Sequence, residues 1–120
     1  MQVNKIIQAV KKNGGLTLNA TGTVFRPKSG YMISLLGYET QCSLTDVNAI
    51  AERLEAYTAM IKKMLSDTAL DVKLGLWLDN GILYIDISQH VADLDLAMYL
   101  GRERKQLAVY DFQNSQSIQL

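Results

Sequence analysis

Val3, Ile6, Ile7 and Val10 recur at the spacing of one helical face, and Gly14-Gly15 follow at once. The spacing predicts a helix over residues 2–13, ended by a residue able to take positive φ. The pattern then turns to alternation, with Leu16, Leu18 and Ala20 against Thr17, Asn19 and Thr21, which predicts a strand over 16–22. Residues 23–30 hold the only proline, Pro27, and Ser29-Gly30, so they are expected as a loop or wide hairpin turn before a second strand over 31–42. Gly37 within that strand marks a bulge or a close approach of another backbone or ligand, the bulge being the simpler reading.

A longer stripe follows. Val47, Ile50, Ala51, Leu54, Tyr57, Ile61, Met64 and Leu65 predict an amphipathic helix capped by Ser43 with Asp46, or by Thr45. Glu52, Arg53, Glu55, Lys62 and Lys63 form its solvated side. The clearest local signal lies at 72–88, where two alternating runs meet at Asn80-Gly81, the dipeptide suited to a type I′ hairpin turn. A two-residue loop pairs Leu78 with Leu83, Leu76 with Ile85 and Leu74 with Ile87 on one face, and Trp77 with Tyr84 and Gly75 with Asp86 on the other. Asp93 or Asp95 caps a third expected helix running to about residue 105, whose last turn holds Arg102, Arg104 and Lys105 beside the negative end of its dipole. Two short runs, 107–112 and 117–120, predict a closing hairpin, with Asp111 interrupting an edge-like strand. Helices separated by strand pairs imply an α+β fold: a mainly antiparallel sheet of about six strands with about three helices packed on it, in the order αββαββαββ.

Composition narrows this picture. A chain of 120 residues suits one domain, and a hydrophobic share of 48% with 20% charged residues supplies a core. Twelve basic side chains balance twelve acidic ones, so no net field draws the chain onto nucleic acid or an anionic membrane, and neither is an expected partner. Cys42 is alone, which excludes an internal disulfide and a cysteine metal set; no metal or cofactor is expected, and a reducing cytoplasm is the expected location. Lys5, Lys11 and Lys12 break the N-terminal apolar residues, unlike a signal peptide, and no run approaches the ~20 apolar residues of a membrane helix.

Candidate chemistry is sparse. His90, the only histidine, could pair with Ser88 or Cys42, but a strand-end hydrogen bond or solvent exposure is the simpler expectation. Among Asp79, Asp86, Asp93, Asp95 and Asp111, only Asp86 falls in mid-strand, away from a turn or cap, and an enzymatic reading would require Asp86 and His90 to converge in a cleft. The alternation places Lys73, Trp77, Tyr84 and Asp86 on the non-aliphatic hairpin face, an aromatic pair flanked by opposite charges. Such a face could anchor a protein partner, stack a nucleobase, pack under the first helix, or simply form a stabilising cross-strand pair. Arg26 and Lys28, with Phe25 and Tyr31 nearby, form a secondary basic and aromatic loop patch. No glycine-rich phosphate loop is present.

Several stretches carry a resemblance. Gly14-Gly15 with the strand to Gly22, Ser29-Gly30-Tyr31 with Ser34, residues 77–81, Tyr84-Ile85-Asp86-Ile87-Ser88, and residues 106–112 followed by Ile118 together resemble a loose family of small accessory proteins encoded by bacteriophages and other mobile elements. The resemblance implies a viral accessory role in a host cytoplasm, exerted by binding and blocking host machinery; it transfers no functional residues. The resulting expectation is a non-enzymatic protein that binds a protein partner, as an inhibitor of a host defence system. The alternative is an oligomer binding a small, nucleotide-like ligand where subunits meet. An exposed edge on the final strand makes a homodimer the expected self-association.

Overall fold

In the computed structural model, which describes residues 2–120, the chain runs α1 (Val3–Asn13), β1 (Gly15–Leu18), β2 (Tyr31–Ser34), β3 (Thr40–Ser43), α2 (Val47–Asp67), β4 (Val72–Asp79), β5 (Ile82–Val91), α3 (Leu94–Glu103), β6 (Ala108–Asp111) and β7 (Gln116–Gln119). This is an α+β fold of three helices on an antiparallel sheet, ordered β1-β4-β5-β2-β6-β7, with β3 also paired to β5.

Residues 31–42 form two strands where the sequence pattern suggested one. β5 is ten residues long; β2 pairs with its Ser88–Val91 end and β3 with Ile82–Ile85, so both lie along one side of it. Between them Gly37 takes φ +90° in open space, and the Tyr57 hydroxyl donates to the Tyr38 carbonyl at 2.5 Å. The glycine thus serves a chain excursion, and no protein atom crowds the position a Cβ would take.

β1 also stops earlier than alternation suggested, at Leu18, where Asn19 and Thr23 close a turn with Gly22 at φ +88°. β1 and β2 do not pair as a hairpin. β4 and β5 lie between them, and residues 24–30 carry the chain across. Val24 bridges back to Leu18 and the Phe25 amide donates to Thr17, after which Phe25 packs edge-on against His90 of β5 and under the Lys73 ammonium of β4.

The central hairpin has the expected register, with Asn80 and Gly81 at φ 50° and 76°. Its odd-numbered β5 residues and even-numbered β4 residues face the helices. Leu74, Leu76, Leu83, Ile85 and Ile87 join Ile6, Ile7 and Val10 of α1 and Ile50, Leu54 and Ile61 of α2 in one aliphatic core. Val91 continues on the same face, where Ile33, Val109 and Ala97 of α3 form a second core. All three helices therefore cover one side of the sheet.

Local signals explain the helix ends. Gly14, at φ +79°, donates to the Val10 carbonyl at 2.7 Å. Asp46 caps α2 by accepting from Ala49 N at 3.1 Å, leaving Ser43 within β3, and Asp93 caps α3 by accepting from Leu96 N at 2.8 Å. The expected basic last turn of α3 is reduced to Arg102, because Arg104 turns back to donate to Gln89 Oε1 at 2.6 Å. Asp111 corrects another expectation. It is 4% exposed and faces the helix side, where it accepts from the Gln113 amide at 3.0 Å and from Asn114 Nδ2 at 2.7 Å, and so organises the β6–β7 turn. No helix among the described residues is long and apolar enough to cross a membrane.

Candidate functional site

With every helix on one side, the opposite face of the sheet is covered only where residues 24–30 cross it. The uncovered part forms a concave cleft of about 840 Å³. Its floor is Gly75, Asp86, Ser34 and Ser88; Trp77 stands on one flank, and Phe25, Tyr110 and Phe112 on the other.

Asp86 occupies the floor because β2 and β5 place two hydroxyls beside it. Ser34 and Ser88 are direct cross-strand partners; Ser34 Oγ donates to Asp86 Oδ2 at 2.6 Å and Ser88 Oγ to Oδ1 at 3.1 Å. On the other side lies Gly75, where a Cβ would overlap Oδ1, so the carboxyl leans over β4 into space that only glycine leaves open. Among the described residues no basic group forms an ion pair with Asp86. Burial pushes its carboxyl above the usual carboxylate range, against the lowering effect of the two serine hydrogen bonds.

The flank beside it is a stacked aromatic pair. Trp77 and Tyr84 stack across the strands with ring centroids 4.4 Å apart and planes 16° from parallel, and Trp77 remains 45% exposed. The far flank is an edge-on aromatic cluster, with Phe25 5.8 Å from Phe112 and 5.1 Å from His90, and Tyr110 5.2 Å from Phe112.

The four hairpin residues expected to project together do share this face, but with different roles. Trp77 and Asp86 line the cleft, whereas Tyr84 supports the indole. Lys73 turns away, its Nζ 3.1 Å from Asp71 Oδ1 and 4.5 Å from the Phe25 centroid. Nor does the first helix cover these residues, since α1 packs on the aliphatic side.

The secondary loop patch does not hold together. Arg26 lines the cleft and Lys28 is exposed outside it, whereas Tyr31 points to the helix side, pairs with Val91 and packs on the second core. His90 and Asp86 lie on one face of β5, four residues apart with Ser88 between them, but the His90 nitrogens are directed elsewhere. Nε2 lies 3.1 Å from the Ser29 carbonyl, and Nδ1 3.7 Å from Asp71 Oδ2. A carbonyl can only accept, so Nε2 carries the hydrogen. Cys42 packs at the aliphatic core, on the face opposite His90, and burial pushes its thiol pKa up. Neither pairing weighed for His90, with Ser88 or with Cys42, is made; the ring instead makes the strand-end hydrogen bond that was the simpler expectation. No three acidic, histidine or cysteine side chains among the described residues gather as a cation site.

Sequence reasoning missed Ser34 and Ser88 as partners of Asp86, and Phe112 and Tyr110 as a wall. The legible signal was positional: Ser88 shares the strand face of Asp86, two residues on. The pairing of Ser34 with Ser88 depends on a strand neighbour distant in sequence. No protein family, curated protein or solved structure matches the chain.

Proposed function

We propose that this chain is a non-enzymatic binding protein that receives a small ligand in the cleft on the helix-free face of its sheet. The observation that carries the reading is Asp86, a carboxyl at the bottom of a cleft with no basic partner and with both oxygens already oriented by hydroxyls. Burying an unpaired acid opposes folding, and such costs concentrate where a group meets a ligand. A hairpin serving only the sheet would gain from a β-branched or aromatic residue at that position. The cleft volume of about 840 Å³ suits a small molecule, and the Trp77–Tyr84 stack offers a flat wall fixed in advance. This departs from a pocket between subunits, because the floor and both flanks come from one chain.

Trp77 is the only tryptophan, so its emission reports the cleft directly. Titration with a panel of flat, polar-edged fragments is expected to quench that emission and raise the melting temperature. Saturation at a hundredfold excess over Kd corresponds to about 2.7 kcal/mol of added stability. A panel in which no fragment changes either signal would overturn the reading.

A second reading is an accessory protein that binds and blocks a host protein. It is supported by the half-exposed, stacked indole of Trp77 beside an acceptor group, the form taken by an interface anchor. The cleft would then hold a partner's side chain. Trp77→Ala and Asp86→Asn should each abolish the biological effect, and an effect that survives both dismisses this face as the interface.

A further inference from the structure

The cleft's chemistry restricts what can occupy it. A carboxylate offers about four acceptor positions. Ser34 fills one on Oδ2 and Ser88 one on Oδ1, so each oxygen keeps one. Both hydroxyls come from the β2 and β5 side, and Gly75 keeps the β4 side free of any side chain, so the unused positions are not blocked by a protein group there. Two acceptors on one carboxyl match two parallel N–H donors, the fork geometry that makes paired hydrogen bonds to carboxylates strong.

The surroundings add two constraints. Trp77 beside the floor and Phe25, Tyr110 and Phe112 opposite it favour an occupant with flat aromatic faces. Arg26, the basic side chain on the lining, is exposed on the crossing segment, so the floor itself repels an anionic group while the rim tolerates one.

Resting on the reading of the cleft as a binding site, we infer that its occupant is a planar aromatic group bearing two adjacent N–H donors, seated with those donors on the Asp86 carboxyl and its ring against Trp77. An amidinium or guanidinium on an aromatic ring supplies this edge as a cation; the N1 and exocyclic N2 edge of guanine supplies it without charge.

Four probes decide the matter by titration calorimetry and Trp77 quenching: benzamidine, guanosine, adenosine and benzoate. Adenosine presents a donor beside an acceptor, and benzoate presents acceptors only. Benzamidine, guanosine or both are expected to bind at least about tenfold more tightly than adenosine and benzoate, the scale set by leaving one charged hydrogen-bonding group unpaired. Binding by benzamidine alone identifies a cationic donor, and binding by both identifies the shared edge. Asp86→Asn should weaken the donor probes by a similar factor. Gly75→Ala, which keeps the carboxyl but displaces it, should weaken them as well, and thermal melting of each variant verifies its folding. Donor probes that bind no better than benzoate, fail to bind at millimolar concentration, or bind Asp86→Asn unchanged would overturn this inference. The fragment panel described above tests the cleft itself, so the two failures are separable.

Discussion

Along β5, Leu83, Ile85 and Ile87 point to the helices and are at most 1% exposed, while Tyr84, Asp86 and Ser88 point the other way to a stacked ring, an unpaired acid and a hydroxyl. The first set belongs to one apolar core with neighbours from β4, α1 and α2, with Cys42 of β3 and Tyr57 packed against it. The second set meets Trp77, Gly75 and Ser34, contacts that leave a concavity where the first leave none. Because side chains alternate along a strand, one hairpin assigns cohesion to one side and, on the reading proposed above, recognition to the other, so neighbouring residues should differ sharply in what their loss does.

The largest expected effect breaks the cohesive side. Ile85→Ala removes a fully buried branched side chain at the hairpin centre and should cost about 3 kcal/mol in urea unfolding, while the folded fraction keeps its ligand affinity. On the open side the balance reverses: Trp77→Ala should lower stability by only about 1 kcal/mol, the value of a stacked pair, while calorimetry shows binding lost.

Asp86→Asn should shift stability in the opposite sense at neutral pH. Burial holds the carboxyl above its ordinary range, so the folded chain keeps this proton to higher pH than the unfolded chain does. Its contribution to stability is full below the unfolded-state pKa of about 3.9 and is lost as pH rises through the folded value. The asparagine variant lacks this loss. Its melting temperature should exceed that of the native chain at pH 7, and the gap should close in acid; a gap constant with pH would contradict the assignment. The smallest effect belongs to Lys73→Met. Its ion pair with half-exposed Asp71 and its place over the Phe25 ring together should contribute about 1 kcal/mol or less, with ligand affinity unchanged because Lys73 does not line the cleft.

The cohesive side was legible because a two-residue Asn-Gly loop leaves no freedom of register, and each pairing from Leu78–Leu83 to Leu74–Ile87 follows from it. Asp86 was legible for the same reason, as a charge out of place in mid-strand. The rest of the cleft was not, because alternation identifies a strand without identifying its neighbour. Ser34 meets Asp86 across 52 residues of chain, and Phe25 reaches His90 and Phe112 only once residues 24–30 cross the sheet. Tyr31 was misplaced by the same blindness: next to Arg26 and Lys28 in sequence, it belongs by parity to the other face. Asp111 needed knowledge of the turn it anchors.

The interposition of β4 and β5 between β1 and β2 has a consequence for synthesis. As the chain leaves a ribosome, β1, β2 and β3 emerge first, yet the lateral neighbours they hydrogen-bond lie in residues 72–91 and, for β2, also in β6. The early strands must therefore wait, unzipped, until the later hairpin arrives to be gripped from both sides. Nascent chains arrested before residue 72 should remain open to protease in their first 45 residues, and those released past residue 91 should become resistant in a single step.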